Sequence, residues 1–304
     1  MPLSIIAITT LIIGFTGLVW SANVFVSGSA SLAKHLGMTP ILIGLTVVAF
    51  GTSAPEMFVS AEAALDGVPN LAIGNAIGSN IANIGLVLGV TAIIAAIPIN
   101  TLLMRLEIPL LLIATFLAVF FLWDLHLSVL EGIGLLMAAI LATLSLIWDA
   151  RRPKSISSTE LAERAIPPEL NHLKAIIYVA MGLLALLGFA DLLVWSAKTL
   201  AEHFGVSPMI IGLTIVAVGT SLPELAASIA SALKGHHDIA IGNIIGSNLL
   251  NILAVMAIPG ILSPPSLTAM TVNRDLFVMV LLTLTLGATI GLASLRQKAE
   301  APSL

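Results

Sequence analysis

Long apolar runs, parted by short polar breaks, leave this chain few places to fold other than a lipid bilayer. Nine such stretches can be read, near residues 4–26, 40–65, 70–97, 106–123, 128–148, 175–197, 208–233, 239–262 and 275–294. The hydrocarbon core of a membrane takes roughly 20 helical residues to cross. A chain in lipid must satisfy its own backbone hydrogen bonds, which selects helices here. A soluble alternative fails on composition, because 58% of the 304 residues are hydrophobic and only 9% are charged. Water-soluble domains carry roughly 25% charged residues. The expected fold class is therefore an all-α polytopic membrane protein of about nine transmembrane helices. Met1-Pro2-Leu3-Ser4 brings no positive charge and no A-x-A-like site follows, so the first stretch reads as a true span, not a secretory signal. The absence of Cys excludes disulfides, zinc-thiolate sites and iron–sulfur clusters. A formal charge of −4 without a basic tract argues against nucleic acid as a partner.

Basic residues set a direction. With nine spans and the N-terminus outside, the inner loops hold Lys34, Arg105, Arg151, Arg152, Lys154, Arg164, Lys174, Lys234, Arg296 and Lys298. The outer loops hold only Lys198 and Arg274. Lys and Arg gather on the cytoplasmic side, so the expectation is N-terminus out and C-terminus in. The one long polar stretch carries Pro153, Pro167 and Pro168 with mixed charges. It divides the chain into residues 1–150 (spans one to five), a cytoplasmic linker at 151–174, and residues 175–304 (spans six to nine).

The halves share a duplicated segment. Residues 40–84 align with 208–252 at a constant offset of 168 without a gap, and 26 of the 45 pairs are identical. Thr, Ser, Pro, Glu and Asn recur in register, which an apolar composition alone does not produce. Each copy is one helical hairpin. The first enters from the cytoplasm and the second from outside, so the copies are expected to be antiparallel across the bilayer. Such inverted-topology repeats mark secondary transporters that bind substrate near the midplane. Trp20, Trp123, Trp148 and Trp195 fall near the expected interfaces, where aromatic anchoring accounts for them.

Glu56 and Glu224 occupy equivalent repeat positions in the middle of apolar segments. An ionisable residue there is costly and points to function. In Gly51-Thr52-Ser53-Ala54-Pro55-Glu56, helical spacing puts Thr52, Ser53 and Glu56 on one face. Pro55 leaves the Gly51 carbonyl without its helical donor, and neighbouring carbonyls such as that of Ala49 can also turn toward an ion. Gly219-Thr220-Ser221-Leu222-Pro223-Glu224 repeats the device. The next span contributes Ser79 and Asn83, one turn apart, and its copy contributes Ser247 and Asn251. Glycines in both spans are expected to let these helices approach the broken ones closely. Every donor is oxygen, which suits hard cations such as Ca²⁺. All six His lie in loops or at span ends, which disfavours zinc or iron. Asp191 faces Asn23 in the extended alignment and reads as a polar cap near the end of span six.

The paired GTSAPE and GTSLPE, with the paired GNAIGSNIANI and GNIIGSNLLNI, resemble the two alpha repeats of the cation/calcium exchanger superfamily, most closely its prokaryotic sodium/calcium antiporters. The resemblance implies exchange of Ca²⁺ for Na⁺ by alternating access, with no cofactor beyond the transported ions. It also implies an integral protein of the prokaryotic plasma (inner) membrane. Carried over by motif position, the metal ligands would be Ala49 (carbonyl), Thr52, Ser53, Glu56, Ser79 and Asn83. The second repeat would add Ala217 (carbonyl), Thr220, Ser221, Glu224, Ser247 and Asn251. Relatives usually have ten spans, whereas nine are read here, and some carry Asp at the position of Asn251. With two core carboxylates instead of three, Ca²⁺/H⁺ exchange by Glu protonation stays open beside an electrogenic Na⁺/Ca²⁺ antiporter. A K⁺-dependent exchanger and a passive cation channel are further alternatives. An enzyme is disfavoured, because no GxSxG elbow or His-rich metal spacing is present.

Overall fold

A computed structural model describes residues 3–98, 103, 105–151, 169–206, 215, 217–269 and 271–300. The described residues are mostly helical and contain no strand; the only extended pairing among them is an isolated bridge between His126 and Ser266. In chain order the helices are α1 (Leu3–Leu36), α2 (Pro40–Thr52), α3 (Ala54–Leu65), α4 (Pro69–Ile94), α5 (Glu107–Phe121) and α6 (Val129–Arg151). Then come α7 (His172–His203), α8 (Ala217–Thr220), α9 (Leu222–Leu233), α10 (His237–Leu262) and α11 (Phe277–Glu300). Among the described residues six helices are long and apolar enough to cross a membrane; α2 and α3 meet that condition only as a pair bent by 43° at the break between them, and α5 and α9 are shorter apolar helices. Residues 152–168 of the expected linker, and 207–214 and 216 at the start of the expected seventh span, lie outside the described residues.

Two expected boundaries change. The first helix continues beyond residue 26 to Leu36, and the sixth continues to His203. Asp191 therefore sits twelve residues before the end of α7. Polar residues at 21–34 and 191–203 masked this continuation, because an apolar window ends where Ser, Asn and Lys begin, whereas backbone hydrogen bonding does not.

The duplication reaches further than the aligned 45 residues. Among the described residues four glycines have positive φ: Gly37 (63°), Gly67 (75°), Gly205 (76°) and Gly235 (78°). They form two pairs at the same offset of 168. Each closes a helix in the left-handed conformation that a side chain would disfavour.

The chain forms two compact units, and each draws on both halves of the sequence: Met1–Thr52 with Ile147–Asn243, and Ser53–Leu146 with Ile244–Leu304. In the first unit α1 and α7 pack along their length. Gly14 lies against Leu193, and Gly28 against Val179 and Tyr178. One index rises as the other falls, so the two helices are antiparallel. Phe25, Val26, Ile43, Val48, Leu186, Ala227 and Ile239 belong to the buried core of this unit. Gly44 and Gly242 bring α2 and α10 backbone to backbone: a Cβ on Gly242 would stand 2.6 Å from the Ile41 carbonyl oxygen, and one on Gly44 2.6 Å from that of Ile239.

In the second unit α3 packs on α4, and the end of α10 packs on both. The loops at 125–127 and 265–267 are tied by Leu127 N–H to Pro265 O (3.2 Å) and Leu267 N–H to Leu125 O (2.6 Å). Close by in sequence, Gly132 meets Gly260. Helix α6 starts with a reciprocal cap in which Ser128 Oγ donates to Glu131 Oε2 (2.7 Å) and Glu131 N–H donates to Ser128 Oγ (3.3 Å).

The Gly44–Gly242 contact leaves no room for a methyl group against rigid backbone. Gly242→Ala is expected to destabilise the detergent-solubilised protein by about 1–3 kcal/mol. Gly188→Ala, where no described atom lies within 4 Å of the added carbon, should leave stability unchanged or raise it. Thermal melting of both variants beside wild type checks this contrast.

Candidate functional site

The bend in the first repeat falls on Ser53, whose φ of −83° and ψ of 5° leave the helical ladder. Thr52 ends α2 and Ala54 begins α3, with Pro55 in its first turn. Proline is at home there, because a first-turn N–H has no helical acceptor to lose. So Thr52, Ser53 and Glu56 do not share one continuous helix face, contrary to the spacing argument: Thr52 belongs to the first limb, and Glu56 to the first turn of the second. The second repeat does the same. Ser221 has φ −88° and ψ 4°, Pro223 opens α9, and Glu224 lies in its first turn. Each carboxylate therefore sits near the positive end of a helix dipole, and both side chains are fully buried.

A pair of asparagines secures these turns identically. Asn75 Nδ2 donates to the backbone oxygen of Glu56 (3.1 Å) and to Ser60 Oγ (3.3 Å). Asn243 Nδ2 donates to the backbone oxygen of Glu224 (3.3 Å) and to Ser228 Oγ (3.0 Å). Each asparagine and both of its partners correspond at the offset of 168. These four residues were present in the repeat motifs, but the sequence reading gave them no role; the signal was their identity in both copies, as with the acids themselves.

The second unit gathers Ser53, Glu56, Ser79 and Asn83 from the first repeat with Ser247 and Asn251 from the second. Ser79 Oγ donates to Glu56 Oε1 (3.4 Å). The turn Asn251–Val255 packs against both α3 and the first part of α4. The first unit gathers Ala217, Thr220, Ser221 and Glu224 with Ala49 and Thr52. Here Thr52 Oγ1 lies 3.1 Å from Asn243 Oδ1 and 3.4 Å from the Ala49 carbonyl. Each unit thus combines one carboxylate with oxygens of the other repeat.

Asn83 and Asn251 are fully buried, and neither end of either amide has a hydrogen-bond partner among the described residues. The hydroxyls of Ser221 and Ser247 are likewise buried without one. Leaving such groups dry costs about 1–3 kcal/mol each, so a fold keeps them for a purpose. Both asparagines open a π-helical stretch, Asn83–Leu88 and Asn251–Val255, a form concentrated at functional sites. Asn80 and Asn248 also match: each donates Nδ2 to the carbonyl four residues earlier and keeps a buried, unpartnered Oδ1. No group of three or more His, Cys, Asp or Glu able to hold a metal occurs among the described residues. The donors are hydroxyl, amide, carboxylate and carbonyl oxygens, a set for hard cations instead of transition metals.

These features define a helical membrane protein with a duplicated, buried oxygen-donor site. Residues 6–148 and 174–300 match the sodium/calcium exchanger protein family, and the chain belongs to that family of cation/Ca²⁺ antiporters. It is 44% identical to the putative antiporter CaxA of Alkalimonas amylolytica over 93% of this chain and 89% of that protein. It is 29% identical to the sodium/calcium exchanger MaX1 of Methanosarcina acetivorans over 91% of this chain and 89% of that one. Among solved structures, the sodium-calcium exchanger NCX_Mj superposes with a TM-score of 0.80 at 29% identity, covering 98% of this chain and 99% of the other.

Outside the membrane-spanning helices, the α9–α10 turn is electrostatically tense. Lys234 Nζ donates to Asn23 O (2.9 Å) and to Ser27 Oγ, and burial lowers its pKa against the opposing pull of Glu169. Burial also lowers the pKa of His236 from its ordinary 6.5; Glu169 opposes this, while Lys234, Lys34 and His237 add to it. The fold thus favours the neutral imidazole. Its stabilisation is complete above the ordinary pKa and is lost as pH falls through the lowered folded value. The drop in melting temperature between about pH 7 and pH 5 should therefore be smaller for His236→Gln than for wild type.

Proposed function

We propose that this chain exchanges Ca²⁺ for Na⁺ by alternating access, with the twelve oxygen-donating residues named from its motifs as ligands. The observation that carries the reading is the pair of fully buried glutamates. Each is held at a helix break by the same Asn–Ser network and accompanied by buried amides and hydroxyls that have no hydrogen-bond partner among the described residues. A carboxylate in such surroundings calls for a cation, and oxygen ligands in flexible number suit Ca²⁺. Smaller subsets of the same oxygens would serve Na⁺. The kinship with proteins named as sodium/calcium exchangers supports the choice of ions. We further propose a plasma-membrane location with the N-terminus outside, on the ten-to-two distribution of basic residues.

Isotopic Ca²⁺ uptake into proteoliposomes tests the coupling. A Na⁺ gradient at fixed pH is expected to drive uptake, and a pH gradient without Na⁺ is not; the reverse result would make the chain a Ca²⁺/H⁺ antiporter. Glu56→Gln and Glu224→Gln should each abolish Ca²⁺ transport while the protein remains inserted and keeps its melting profile. Wild-type rates in either variant would remove that glutamate from the ligand set.

A further inference from the structure

We infer that Asn243 is a positioning residue that keeps two cation ligands, the Thr52 hydroxyl and the Ala49 carbonyl, available at once. The inference rests on the proposed ligand set and extends it to a residue the motifs do not assign. A threonine hydroxyl has one proton to give. In α2 the habitual acceptor is a carbonyl one turn back, the pattern found here at Thr46, which donates to Leu42 O at 2.6 Å. Thr52 faces the same option in Ala49 O, at 3.4 Å, but the nearer acceptor is Asn243 Oδ1, at 3.1 Å. A proton given to Asn243 leaves the lone pairs of both Thr52 Oγ1 and Ala49 O for an ion. A proton given to Ala49 O would engage that carbonyl and turn the hydroxyl toward its own helix.

The amide is built to hold this orientation. Its Nδ2 donates to Glu224 O and Ser228 Oγ, so the flipped amide would present oxygen to the Glu224 carbonyl, and Oδ1 is fixed as the end that faces Thr52. Asn243 is fully buried, and its backbone is held against α2 by the Gly44–Gly242 contact beside it. One side chain of the second repeat thereby orients ligands of the first at the last residue before the helix break. Its counterpart Asn75 is only partly buried and shares the Glu and Ser contacts.

The test is a double-mutant cycle in proteoliposomes, reading the KM for Ca²⁺ and the maximal rate per folded transporter. Asn243→Leu removes the acceptor at similar volume, and Asn243→Ser is too short to reach Thr52. Both are expected to raise KM about 3- to 10-fold, the worth of one oriented hydrogen bond. In a Thr52→Val background, which has no hydroxyl to orient, the same changes should add less than they do on wild type, the remainder being the lost contacts to Glu224 O and Ser228 Oγ. Unchanged KM in both variants overturns the inference, as do effects that add in full on Thr52→Val. So does a loss confined to the amount of folded protein, which marks a merely structural asparagine. Wild-type vesicles measured alongside separate the two levels: absence of Ca²⁺ flux there would instead defeat the functional reading.

Discussion

A carboxylate carried into a bilayer must be compensated locally, and the positions of Glu56 and Glu224 govern much of what surrounds them. Burying an uncompensated charge costs several kcal/mol even after relaxation. The fold meets that cost first with backbone. By breaking the helix one turn before each acid, it exposes the positive end of a fresh helix to the carboxylate. Proline makes the break inexpensive, because it occupies a turn where its missing N–H removes nothing. On the neighbouring span the Ser79 hydroxyl donates to the Glu56 carboxylate and the Asn75 and Asn243 amides hold the broken turns, and further compensation falls to the cation that such a site is proposed to carry.

In the second repeat the amide reaches Thr52 because two helix backbones come unusually close, whereas Gly74, beside Asn75, has no such neighbour within 4 Å. Gly44 and Gly242 meet with no side chain between them, which places Asn243 within reach of Thr52. Lipid tails are as apolar as leucine, so no hydrophobic force drives this contact; dispersion between backbones and the interhelical hydrogen bonds supply it. Small residues and polar groups therefore belong to one device, the glycines setting the distance and the asparagines using it.

Much of this was legible in the sequence, for identifiable reasons. Long apolar runs announce membrane helices because lipid removes every other way of satisfying the backbone. The acids stood out because ionisable residues in such runs are rare, and the offset of 168 showed that their neighbours recur as a set. Less was legible where a rule of local spacing met tertiary structure. Thr52 and Glu56 are four apart, yet the break at Ser53 puts them on different limbs and in different compact units. Helices α1 and α7 run on past their apolar stretches, since hydropathy falls off within helices that continue as polar ones.

Asn75, Asn243, Ser60 and Ser228 illustrate a subtler gap. Their identity in both copies was visible, but an amide in a glycine-rich motif carries no label that separates a ligand from a residue that orients one. The distinction depends on which end of the amide is already engaged. Among the described residues Asn83 and Asn251 keep both ends unpartnered within buried surroundings, as a ligand should. Asn243 uses its nitrogen on Glu224 and Ser228 and its oxygen on Thr52, as a support should. Two asparagines eight residues apart on one helix thus differ in their hydrogen-bond inventory among the described residues, and it is on that difference, not on their place in the motif, that the proposed roles rest.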